Sequence, residues 1–86
     1  MRVQSAAEVV KILGTQQVGE SEVLNLVCID ADGLEFDVAY WGDIEPDAIA
    51  VGDRILFAGK VRLRKSTNSV YLMVDARQIA INVGSL

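Results

Sequence analysis

The chain has 86 residues, 51% hydrophobic and 23% charged, with twelve acids against eight bases and a net charge of −4. That supports one domain over residues 1–86 with a continuous core, and it argues against intrinsic disorder. With no histidine and a single cysteine, Cys28, the composition excludes a Ser-His-Asp triad, a His- or thiolate-built metal cluster and an internal disulfide.

Period-two alternation dominates. A first strand is expected over Glu8-Val9-Val10-Lys11-Ile12-Leu13, with Gly14 free to bend it, and Ser5-Ala6-Ala7-Glu8 carries the spacing of a helix capping box as a competing short helix. A second strand runs from Glu22 to Ile29 and ends at Asp30-Ala31-Asp32-Gly33, a hairpin turn. In the third, Leu34, Phe36, Val38 and Tyr40 alternate with Glu35, Asp37, Ala39 and Trp41. This is the pattern of an antiparallel strand with one buried face. The connector from Gly42 to Asp53 has room for a short helix, with Pro46 in its first turn and Gly52 at its end.

A fourth strand sets Ile55, Phe57, Gly59, Val61 and Leu63 against Arg54, Leu56, Ala58, Lys60, Arg62 and Arg64. The turn Lys65-Ser66-Thr67-Asn68-Ser69 leads to a fifth, with Val70, Leu72 and Val74 on one face and Tyr71, Met73 and Asp75 on the other. The expected architecture is all-β: a small five-stranded barrel with a short helical connector between the third and fourth strands, closed so that no sheet edge is exposed. An SH3-like barrel is the rival. The expected core is Leu24, Leu26, Phe36, Val38, Ile55, Phe57, Val61, Leu72 and Val74. Cys28, in phase with Leu24 and Leu26, reads as a small core hydrophobe.

The stretch from Phe36 to Val61, FDVAYWGDIEPDAIAVGDRILFAGKV, resembles the centre of OB-fold single-stranded DNA-binding proteins of the bacterial SSB and replication protein A kind. Those families end their third strand in an aromatic followed by glycine, here Trp41-Gly42. A helical connector, a Gly-Asp turn (Gly52-Asp53) and a strand containing a glycine (Gly59) follow. The resemblance implies an OB fold and a base-contacting aromatic near Trp41. It also implies a loop between the last two strands that wraps nucleic acid. The chain departs from the bacterial pattern at Val83-Gly84-Ser85-Leu86, where the glycine-rich, acidic-tipped tail would follow.

Single-strand binding needs stacking surfaces and cations that follow the phosphates. Trp41 lies in the outward phase of its strand and is the stacking candidate; the competing arrangement folds the indole over the barrel end as a plug. Tyr71 and Met73 share the outward phase of the fifth strand, where they either line the same groove or bury against another subunit. Lys60, Arg62 and Arg64 form a stripe along one face that continues into Lys65 and Asn68, with Arg54 at its start and Arg77 extending it from the last strand. Ten of the acids lie at or before Asp47 and six of the bases at or after Arg54, so a basic patch on an acidic body is expected. Glu35 and Asp37, outward on the third strand, oppose phosphate there.

Other patterns carry no chemistry. Gly52 to Lys60 lacks the spacing and the hydroxyl of a phosphate loop, and Asp30-Ala31-Asp32-Gly33 lacks the remaining ligands of a calcium loop. The expected function is a non-enzymatic single-stranded DNA-binding module with little sequence preference, acting in DNA replication, recombination or repair. No metal or other cofactor is expected. Single-stranded RNA or tRNA is the less favoured ligand, and the alternative is a protein-interaction subunit of a larger complex. A homo-oligomer is expected, with Val10 and Ile12 or their alternates on the first strand, Leu56 on the fourth and Met73 on the fifth as outward apolar material, and other replication proteins are further expected partners. No apolar run approaches the roughly 18–20 residues that span a bilayer, and Met1 to Glu8 lacks a signal-peptide core, so the expected setting is cytoplasmic, away from membranes.

Overall fold

Alternating apolar residues build five strands in the computed structural model: β1 Arg2–Val18, β2 Ser21–Ile29, β3 Glu35–Trp41, β4 Arg54–Lys65 and β5 Val70–Ile81. The structure describes residues 2–42, 46–65 and 70–81, with side chains at all of these except 46, 64, 65 and 70–72. The strands close into a barrel in the order β1-β2-β3-β5-β4, and β4 returns to β1. Every pairing is antiparallel except β3 with β5, which is parallel from Asp37↔Met73 to Tyr40↔Ala76.

β1 closes the barrel by serving two partners. Arg2 to Glu8 pair with β4, and Glu8 to Val18 pair with β2. Register shifts between Val9 and Lys11 and between Ile12 and Gly14 let the strand turn from one partner to the other. The segment Ser5-Ala6-Ala7-Glu8 is strand, so the capping-box helix does not form. Hydrogen bonds from the β4 ladder satisfy its backbone first.

The connector departs from expectation as well. No α-helix is found among its described residues, which hold a single 3-10 turn over Pro46–Ala48; residues 43–45 lie outside the described residues. What secures it is a backbone stitch. The Gly52 N–H donates to the Val9 carbonyl at 2.8 Å, and the Val9 N–H donates to the Asp53 carbonyl at 2.9 Å. The Asp53 carboxylate accepts the Ala50 N–H at 2.8 Å. This docking drops Ile49 into the barrel mouth, where it is buried. The β2–β3 turn closes on Asp30, whose carboxylate accepts the Asp32 and Leu34 N–H groups at 3.0 and 2.9 Å.

The core joins Val9, Leu24, Leu26, Cys28, Phe36, Val38, Ile55, Phe57 and Val74 with Ala7, Ile49 and Ala76. Phe36 and Phe57 meet at 5.7 Å between centroids with a tilt of 51°. Val61 and Tyr40 are partly buried against this cluster, and the side chain of Leu72 lies outside the described residues. Cys28 sits fully inside; burial, then the negative charge of Asp37, pushes its thiol up to about 12. Ile12 also packs against the core, while Leu13 beside it on β1 is exposed, so the alternate supplies the outward apolar residue there. Among the described residues no helix is long and apolar enough to cross a membrane.

Candidate nucleic-acid interface

The site begins with a bulge. β4 and β5 pair Ala58 with Gln78 but Gly59 with Ala76, leaving Arg77 as the extra residue. On β5 the inward positions are therefore Val74 and Ala76, then Ile79 and Ile81, with the phase change at Arg77-Gln78. Gly59 is what permits it: a Cβ there would collide with the Asp75 carbonyl oxygen and stand 2.7 Å from the Ala76 Cα. Asp75, Arg77 and Gln78 thus reach one outer surface.

Trp41, the last residue of β3, reaches the same surface from the other side. Its outward phase holds, but the indole is half-buried on a second, smaller apolar cluster of Val23, Ala39 and Met73. The indole Nε1–H donates to Asp75 Oδ1 at 3.1 Å. The Arg77 guanidinium lies over the ring, 5.3 Å from its centroid. Arg62 completes the group: its Nε lies 2.6 Å from Asp75 Oδ2, and its Nη2 donates to Oδ1 at 2.9 Å. The same Nη2 is 3.7 Å from the Met73 sulfur. Met73, 8% exposed, is consequently sealed under its neighbours, not offered to a groove or to another subunit.

Strand order supplies the remaining cations. Asp75 pairs with Lys60 across β5–β4, and Lys60 pairs with Arg2 across β4–β1. Two exposed like charges placed side by side repel one another unless an anion lies between them. The result is a groove of about 590 Å³ lined by Trp41, Arg2, Lys60, Arg62, Asp75, Arg77 and Gln78, with Ala58 and Gly59 in its floor. Four cations face one carboxylate.

The structure brings Trp41, Lys60, Arg62 and Arg77 together in this groove and leaves Arg54 out. Arg54 stands six residues down β4, about 20 Å from Lys60 along the strand. There it lines a separate recess with Glu8 and Asp30. Arg64 and Tyr71 are register partners in the β4–β5 arm, but their side chains, that of Lys65 and all of Asn68 lie outside the described residues. Sequence reasoning missed Arg2, Asp75 and Gln78. Only the bulge marks Gln78, and only the β1–β4 register marks Arg2.

The acids of β3 stand to one side. Asp37 pairs with Met73 and so lies two strands from Arg62, with β5 between them. Partial burial, then the charge of Glu35, raises its carboxyl above the usual carboxylate range. Neither Glu35 nor Asp37 lines the groove.

No family model matches the sequence, and no curated protein does. Among solved structures the chain is similar to the second single-stranded DNA-binding protein (SSBb) from Mycobacterium smegmatis. The TM-score is 0.79 at 13% identity, over 93% of this chain and 84% of that one. What the two share is the fold, a five-stranded closed barrel of the OB type.

Proposed function

We propose that the protein binds single-stranded DNA with little sequence preference, as a non-enzymatic component of DNA replication, recombination or repair. The observation that carries this reading is the groove in which Arg2, Lys60, Arg62 and Arg77 gather beside Trp41 on the face of an otherwise acidic barrel. Cations in a track take the phosphates, and an aromatic face stacks a base whatever its identity. The fold shared with a single-stranded DNA-binding protein supports the same reading. Arg64, Lys65, Asn68 and Tyr71, in the β4–β5 arm, extend the track in this proposal.

The test uses the single tryptophan. Titration with unstructured deoxyoligonucleotides at low salt quenches Trp41 emission and yields a retained complex. With four to six cations engaged, the log–log salt slope is about −3 to −4. No quenching and no complex at micromolar protein overturns the reading. Self-association belongs to the same proposal, because a second copy lengthens a short track by raising the effective concentration of the second site. With Ile12 and Met73 packed inward, Val10, Leu56 and the alternate Leu13 remain as apolar candidates. Light scattering then gives a multiple of 9.3 kDa, and a strict monomer that still binds DNA removes that part.

A further inference from the structure

We infer that Asp75 holds the binding groove closed, its carboxylate occupying the place of a phosphate while Arg77 occupies the place of a base. The inference rests on the single-strand reading above and concerns how that site is regulated. Arg62 grips Asp75 with two nitrogens on two oxygens, the fork geometry that a guanidinium offers a phosphate. The same carboxylate takes the indole N–H of Trp41, so one residue anchors both the phosphate-binding cation and the stacking aromatic. The indole rests on Val23, Ala39 and Met73, and Arg77 lies over the ring. A base reaches that face by displacing the guanidinium, and a phosphate reaches Arg62 by displacing Asp75.

Such a groove discriminates by what a ligand brings. A free phosphate ion competes for Arg62 alone and leaves Arg77 on the ring. A strand segment brings phosphate and base together, and the guanidinium released from Trp41 is then free to contact the backbone. Asp75 lowers affinity for every anion. It lowers it least for a polymer that repays the opening at several contacts at once.

Asp75→Asn tests this, because the amide is isosteric and its oxygen still accepts the indole N–H. Wild type and variant are titrated with an oligothymidylate and with inorganic phosphate, following Trp41 emission across a salt series. The expected result is a two- to fivefold tighter oligonucleotide complex, about the weight of one partly exposed ion pair. The salt slope stays the same, because Arg62 meets phosphate in both complexes and only the cost of opening differs. Inorganic phosphate, silent on the wild type, perturbs the variant's emission. A variant that binds DNA equally or more weakly overturns the closure while leaving the single-strand reading intact, since it would make Asp75 a support for Trp41. If neither binds, both proposals fall. Arg77→Gln supplies a readout without DNA and guards against an unfolded Asp75 variant. Acrylamide quenching of Trp41 should rise about twofold, and unchanged quenching removes Arg77 from the closure.

Discussion

Leu26 and Trp41 stand on opposite sides of the same sheet, and their surroundings have little in common. Leu26 is fully buried among Val9, Cys28, Val38, Ile55 and Phe57, in a barrel interior with no buried polar side chain among the described residues. Trp41 covers a cluster of only three buried residues, and its rim is Asp75, Arg62 and Arg77. The interior has no directional contacts to satisfy and is held by burial and packing. The outer cluster has an apolar floor and a charged rim that faces solvent. The first arrangement holds a fold; the second holds side chains in place for a ligand.

If that division is right, truncations on the two sides must separate. Leu26→Ala should destabilise by about 2–5 kcal/mol, because the closed barrel cannot collapse into the cavity. Thermal or urea unfolding measures it, and DNA affinity of the folded fraction should change little. Trp41→Ala should show the reverse emphasis. Loss of one stacked base costs about 1–3 kcal/mol of binding, roughly fivefold to a hundredfold in Kd, measured by retention of labelled oligonucleotide. Equal effects of both substitutions on both quantities would erase the distinction between the two clusters.

Smaller effects sharpen it. Arg2→Ala should weaken binding about two- to fivefold and make the salt slope shallower by about 0.7, while the melting temperature stays put or rises slightly as its repulsion with Lys60 is relieved. Asp37→Asn should stabilise at neutral pH by a few tenths of a kcal/mol. The folded chain holds this proton to higher pH than the unfolded chain does, so ionised Asp37 costs stability as pH rises through its raised range. The variant's advantage should therefore fade as pH falls through that raised range and be gone below the ordinary value of 3.8. Melting curves across acid pH check the sign.

Much of this was legible in the alternation of residues. Phe36 and Val38 against Glu35 and Asp37, or Ile55 and Phe57 against Arg54 and Leu56, state which face is buried before any partner is known. Period-two patterning therefore identifies strands and most of the core, and it turns Trp41, Lys60 and Arg62 to the outer side. It fails where the period breaks or where a residue serves a distant partner. Ile49, in the connector, has no alternation to mark it, and its burial follows from the stitch between Gly52 and Val9. Met73 has the phase of an exposed residue, yet its neighbours on three strands roof it over.

Local steric and hydrophobic preferences, acting within a few residues, determined the strands, the turn at Asp30, the apolar interior and the acidic surplus. The meeting of Arg2, Lys60, Asp75 and Arg77 was decided elsewhere. These positions are as much as 75 residues apart in the chain, and they converge because β1 pairs with β4, β4 with β5, and β5 bulges at Arg77 opposite Gly59. A register is a property of two strands at once, and barrel closure sets all five together. The charge of the groove, and the carboxylate within it, are therefore consequences of tertiary structure.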